Sequence, residues 1–146
     1  MSGAITKHSI SSQGSTTLLR AAQDTALAMN VPVSIAVVDE AGHLKGFARM
    51  DGSPAICVEI ARNKAGTAAS FGLGTHLWYD RLAGQPALVH GLSHAAGFTL
   101  LGGGMPVVLD GQVIGGIGVS GGSAEEDLAI AEAALAALTA AATSPA

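Results

Sequence analysis

Charged residues make up only 12% of this sequence and aromatic residues 3%; there is one cysteine and no basic run. Each shortage excludes something. Soluble domains carry about 25% charged residues, so a surface this poor in charge is expected to hide part of itself by self-association. Seven Lys and Arg residues, unclustered and within a net charge of -4, give nucleic acid nothing to release its counterions to, and that partner class is excluded. A lone cysteine cannot close an intramolecular disulfide. Cys57 stands between Ile56 and Val58 with no histidine nearby, as a buried small hydrophobe does. The longest apolar run, Leu128 to Ala142, is interrupted by Glu132 and is too short to cross a bilayer. The first residues, MSGAITKHSISSQGS, have no apolar signal-peptide core, so a cytoplasmic location and no membrane partner are the expectations. No P-loop, no nucleophile elbow and no G-x-G-x-x-G between a strand and a helix is present.

What is there fits a single domain of 146 residues, long enough for one core. Residues 1–14, small and polar, read as a flexible N-terminal arm with His8 solvated in it, and 15–142 as the folded domain. Leu18, Leu19, Ala22, Ala26 and Met29 recur at helical spacing from Ser15, with Ser15 or Thr16 as cap and Asn30-x-Pro32 as stop. Val33 to Val38 reads as a strand covered on both faces. Asp39 to Gly42 turns the chain, and His43 to Met50 returns with Lys45, Phe47 and Arg49 on one face, a row suited to a pocket wall. Ser53-Pro54 signals a helix start, Ser as N-cap and Pro at the first position. The helix to Ser70 is full of small residues, among them Ala61, Ala65, Gly66 and Ala68, which permit close approach to a sheet. Glu59 and Asn63 share its solvated face, and Lys64 lies about 140° round from Glu59.

Residues 71–95 are irregular and hold the only Trp and Tyr and three of the five histidines, His76, His90 and His94. Thr75 is placed to cap a short helix through Leu82, and a connection this long often serves as a binding loop. His90-x3-His94 puts two rings on one helical face, as metal sites do. No acidic residue follows His90 in the metalloprotease manner, and a third ligand is not evident.

The chain then enters GGGMPVVLDGQVIGGIGVSGGSAEED, residues 102–127, in which nine of 26 residues are glycine. Glycine weakens strands unless a turn, a bulge or a close backbone approach requires it. Asp110-Gly111 is a type I′ hairpin signal. Ser123-x-x-Glu126 is a capping box, with Asp127 as one more carboxylate in the first turn; those acids oppose anion binding at that helix end. Gly102 to Gly104 with Met105-Pro106 has no such explanation and reads as a sharp bend, where a flat or anionic ligand would meet the bare backbone of the three glycines. With Phe98 to Leu101 taken as a short strand, the local hairpins give an α+β fold: a five-stranded, mainly antiparallel sheet flanked by helices. The strands VSIAVV and VIGGIGVS are expected side by side at its centre.

The order of VPVSIAVVDEAGHLKGFARMDGSP, the alanine-rich helix with Lys64, and GGGMP through IGVSGG resembles the GlcG/HbpS-type haem-binding family, which is similar to the C-terminal domain of PduO-type corrinoid adenosyltransferases. The likeness spans about residues 15–140. It implies homo-oligomers from dimer to octamer and, in some members, haem as cofactor, with roles in haem or iron sensing, storage or degradation. Carried onto matching positions, it places a small-molecule pocket near Arg49, Asp51, Lys64, Gly102, Gly103, Gly104 and Ser120. Arg49 and Lys64 would pair with propionates or another carboxylate. The matched motifs are glycine and turn positions and name no iron ligand. The candidates are His94, His90, His76 and His8, with His94 first because it precedes the strand leading to the glycine bend. Two other functions fit the same residues. One is a small-molecule catabolic enzyme that binds a carboxylate without haem and moves a proton through a histidine or Glu59. The other is an accessory subunit whose apolar surface serves assembly alone.

Overall fold

A computed structural model describes residues 3–143. Helix α1 (Ser12–Met29) leads to strands β1 (Ser34–Asp39) and β2 (Leu44–Arg49), then to helix α2 (Ile56–Phe71). A 3-10 turn (Thr75–Leu77) and two short helices, α3 (Trp78–Arg81) and α4 (Pro86–Ser93), precede β3 (Gly104–Leu109), β4 (Gln112–Ser120) and the long α5 (Ala124–Thr143). Among these residues no helix is long and apolar enough to cross a membrane.

The sheet has four strands, not five, in the order β2-β1-β4-β3. All neighbours run antiparallel, and the two apolar strands β1 and β4 pair at the centre from Ser34↔Ser120 to Asp39↔Gly115. The missing strand is Phe98 to Leu101. Its amide hydrogens go elsewhere: Phe98 N to Ala95 O at 3.2 Å, Thr99 N to the Thr67 hydroxyl at 3.1 Å, and Leu101 N to the Thr99 hydroxyl at 3.1 Å. A backbone whose donors are taken by turns and threonine hydroxyls has none to offer a ladder.

Two hairpins build the sheet. At the first, Asp39 Oδ1 accepts from Ala41 N and His43 N, and Gly42 takes a φ of 85°. At the second, Asp110 and Gly111 have φ of 49° and 77°, the two positive values that a type I′ turn needs. Pro106, which cannot donate to a ladder, stands in β3 at the sheet edge, the place proline tolerates.

Alternation along the central strands separates two cores. Ile35, Val37, Ile117 and Val119 face α1 and α5, where Leu18, Ala22, Ala26, Ile130 and Ala134 complete a buried cluster. Ala36 and Val38 face the other way, onto Ala61, Ala65 and Ala69 of α2, with Phe47 of β2 packed beside them. The molecule is therefore a three-layer stack with α2 alone on one face. That face is built for close approach: a Cβ on Gly104, Gly116 or Gly118 would collide with the carbonyl oxygens of Lys64, Ala65 or Ala61. The paired strands present a glycine floor on which the helix backbone rests.

Three local expectations need correcting. Helix α1 begins at Ser12, with Ser11 Oγ accepting from Gly14 N at 3.0 Å, and Ser15 is buried under it instead of capping it. The arm is pinned at Ile10, which is buried and donates to Ile114 O at 2.8 Å; residues 1 and 2 of the expected arm lie outside the described residues. Ser53 does not cap α2. Its hydroxyl turns inward to bond the Ser34 hydroxyl at 2.9 Å in the core, and the helix starts at Ile56 after the Pro54 turn. The capping box of α5 is as expected: Glu126 N donates to Ser123 Oγ at 3.1 Å and Ser123 N to Glu126 Oε1 at 2.9 Å.

Candidate functional site

Lys64, expected at a pocket wall, is 3% exposed. Its ammonium donates to Asp127 Oδ2 at 2.9 Å and to Val119 O at 2.8 Å, and the other Asp127 oxygen accepts from Gly122 N at 2.9 Å. Asp127 is 2% exposed. The residue read as one more helix-end carboxylate is the counter-charge of a buried lysine, and the pair ties α2, the end of β4 and the start of α5 together. A buried ion pair endures only when further hydrogen bonds support it; here the ammonium also donates to Val119 O and the carboxylate also accepts from Gly122 N.

The glycine bend closes over this pair. A Cβ on Gly103 would lie 2.9 Å from Lys64 Nζ and 2.8 Å from Asp127 Cβ, and one on Gly102 would lie 3.1 Å from His76 Cβ. Gly104 N donates to the buried hydroxyl of Thr75 at 2.8 Å, which occupies the group expected to cap the next helix. Protein fills the space where a ligand was expected, and Met105-Pro106 continue as strand rather than bend.

The other expected site residues separate. Ser120 is buried, while Arg49 and Asp51 are exposed at the same end of the sheet, where Arg49 Nε donates to Ser53 O at 3.2 Å. Glu59 is exposed on the outer side of α2. His8 bonds Gln112 Oε1 at 2.8 Å. His76 is exposed beside the glycine bend, and His90 and His94 stand on and just after α4.

A distinct cavity lies between α3 and α4. It holds about 580 Å³ and is walled by Tyr79, Leu82, Ala83, Pro86, Val89 and His90 among others, a largely apolar set that includes one histidine. The α3 side is anchored. Trp78 is buried, and its ring meets Phe71 and Phe98 edge to face at 4.9 and 5.3 Å, with Phe71 and Phe98 themselves 6.0 Å apart. Such contacts hold aromatic rings at defined angles. The α4 side is not anchored: none of its eight residues is buried.

The two α4 histidines interact. Their ring centroids are 4.8 Å apart, and His94 Nδ1 lies 2.8 Å from His90 O. A carbonyl only accepts, so Nδ1 carries the hydrogen, and in the neutral ring Nε2 keeps its lone pair. That is the tautomer and support that metal-ligating histidines use. No three His, Cys, Asp or Glu side chains converge among the described residues, so a bare ion has no protein cage there. A metal carried in a macrocycle needs one such nitrogen and an apolar wall.

Residues 10–136 match the family described as haem degrading protein HbpS-like. Protein GlcG of Escherichia coli K12 is 41% identical over 79% of the chain and 84% of its own length. A crystal structure of protein ORFY from Klebsiella pneumoniae superposes with a TM-score of 0.90 at 33% identity, covering 96% of this chain and 97% of that one. The crystal structure of a PduOC:heme complex superposes with a TM-score of 0.81 at 37% identity, covering 88% and 94%.

Proposed function

The chain belongs to the HbpS-like family, and from that premise we propose that it binds haem in the cavity between α3 and α4, with His94 Nε2 as the iron ligand. The observation that carries the reading is the 2.8 Å bond from His94 Nδ1 to His90 O, which leaves Nε2 free as a donor on a ring 4.8 Å from that of His90, itself a residue of the cavity wall. Leu82, Ala83, Pro86 and Val89 would face the macrocycle, and a solved relative of the same fold is a heme complex. Haem would supply a redox-active iron. The chain's own contribution is to present one imidazole in a fixed tautomer and to exclude water from the macrocycle face with its apolar wall. A role in haem or iron sensing, storage or degradation is part of the same proposal.

The reading includes self-association. Tyr79 is 73% exposed in the monomer, and Leu77, Leu88 and Leu101 stand open beside the same segment. Open apolar side chains on a charge-poor surface are what a subunit interface covers. Sedimentation velocity is expected to give a dimer or larger assembly.

Haemin titration tests the site. We expect a saturable Soret shift in the wild type, a shifted Soret and altered charge-transfer band in His94→Ala, and retained coordination with weaker binding in His90→Ala. An unchanged spectrum in His94→Ala removes the assignment. Absence of any saturable Soret change removes haem binding itself.

A further inference from the structure

The opposite side of α4 borders a second concavity, separate from the α3–α4 cavity. Two depressions of about 390 and 340 Å³ meet on the outer face of α2, and both are walled by Gly42, Gly66, Ala96 and Gly97. Together they form one groove with unlike ends. Arg62 and Asn63 stand at one end, Phe71 and Phe98 at the other. Nine residues of α-helix separate Arg62 from Phe71, about 14 Å of rise.

Gly66 is the telling residue. It sits inside α2, where glycine costs about 0.5–1 kcal/mol relative to alanine. Its φ is not in the left-handed region, and a Cβ built there meets nothing within 4 Å. The glycines of β3 and β4 on the other side of α2 are required by the helix backbone that rests on them; Gly66 has no such neighbour. What a side chain at Gly66 would do is fill the floor of the groove. Arg62 adds a second observation: it is exposed and has no ion-pair or hydrogen-bond partner among the described residues. An unpaired guanidinium beside an amide, at the end of a groove whose other end is aromatic, complements an anion joined to a flat apolar body. Glu59, without an ion-pair partner among the described residues, lines the same end; its charge opposes an anion there, so the site admits no more than the single negative charge that Arg62 offsets.

We propose that this groove is a binding site for a small monocarboxylate with a flat apolar body. Arg62 and Asn63 hold the carboxylate, the body crosses the Gly66 floor, and its far edge lies on Phe71 and Phe98. The site is independent of the haem reading and shares none of its proposed contacts.

The chain has a single tryptophan, and Trp78 packs on both Phe71 and Phe98, so its fluorescence reports occupancy. Titration with 3-phenylpropanoate, its amide 3-phenylpropanamide and haemin makes the test. We expect the acid to bind saturably and the amide at least tenfold more weakly. Arg62→Gln is expected to bring the acid down to the amide's affinity. Gly66→Leu, whose Cβ meets nothing within 4 Å, is expected to abolish binding of both while thermal unfolding stays at or above wild type, and both variants should keep the haemin response. Equal affinity for acid and amide, no saturable binding, or unchanged binding in Gly66→Leu overturns the proposal. One-for-one displacement of the acid by haemin assigns the groove to haem instead. A change of assembly mass in Gly66→Leu assigns it to a second copy of the chain.

Discussion

Replacing Asp127 with asparagine removes one charge from a pair that is 3% and 2% exposed while leaving the side chain's shape unchanged. The Gly122 N bond survives, because an amide oxygen still accepts. What remains is a lysine ammonium in the core with one carbonyl, Val119 O, as its acceptor. Uncompensated buried charge costs about 3–5 kcal/mol. Unfolding entropy of about 2.1 cal/mol/K per residue gives about 0.3 kcal/mol/K for a chain this long, so melting should fall by about 10–16 °C. Lys64→Met, which strands the carboxylate instead, should fall by a similar amount. The double variant Lys64→Met with Asp127→Asn buries no charge, and its loss should be smaller than the sum of the single losses by at least about 2 kcal/mol, the coupling expected of groups in direct contact. Circular-dichroism melts and urea titrations at pH 7 on all four proteins complete the cycle. Single variants that melt within 3 °C of wild type, or losses that simply add, would show that the ammonium and carboxylate do not depend on each other and would refute the argument.

The glycine floor gives a second test. Gly118→Ala sets a methyl against Ala61 O, and Gly104→Ala sets one against Lys64 O; each should cost about 1–3 kcal/mol in urea unfolding as overpacking does, and a neutral result would show that α2 rides higher on the sheet than described. Gly103→Ala combines a φ of 122° with contacts to Asp127 and Lys64, and its expected loss exceeds that of Gly104→Ala in the same titration. The N-terminal arm should respond to acid. The Ser9 hydroxyl hydrogen-bonds the Glu40 carboxyl and holds its pKa below the usual 4.5. A depressed folded value means that this contribution is present above the unfolded pKa and lost as pH falls through the folded one. Limited proteolysis of residues 3–10 should therefore speed up below pH 4.5 in the wild type, and Ser9→Ala should flatten that dependence; identical profiles would remove Glu40 from the anchoring of the arm.

Much of the architecture is written locally. The 3.6-residue spacing of Leu18, Ala22 and Ala26, the Asp110-Gly111 turn and the Ser123–Glu126 box each depend on neighbours a few residues away, and each forms where the sequence places it. One failure is local, the start of α1, which Ser11 caps a few residues before the expected Ser15 or Thr16; the others are long-range. Ser53 carries a strong capping signal, but Ser34, nineteen residues earlier, offers its hydroxyl a buried partner. Thr75 likewise gives its oxygen to Gly104 N, twenty-nine residues on. Phe98 to Leu101 has strand-like composition, but Thr67 on α2 captures the Thr99 amide and the aromatic cluster captures Phe98. Side-chain oxygens and aromatic rings compete with the ladder only once the tertiary fold brings them near, and no window along the sequence contains both partners. The Lys64–Asp127 pair spans 63 residues. Its one local trace is a lysine set among the buried positions Ala61, Ala65 and Ala68 of the same helix, a place where a charge requires a partner.

Glycine is the residue type whose meaning sequence leaves most open, because a missing side chain makes room equally for a ligand and for another backbone. The two readings separate once the occupant of the space is known. At Gly104, Gly116 and Gly118 the occupant is the α2 main chain, and at Gly103 it is the Lys64–Asp127 pair; the space their missing side chains leave is filled by protein. Gly66, counted from the sequence among the small residues that let α2 approach the sheet, has open space where its Cβ would stand, in a groove it shares with the β1–β2 turn and residues 95–98. The glycines that looked like a binding loop are packing residues, and the one that looked like a packing residue has nothing packed on it. A glycine retained inside a helix at a stability cost, with no contact to require it, directs the search for a ligand to the outer face of α2 and away from the glycine bend.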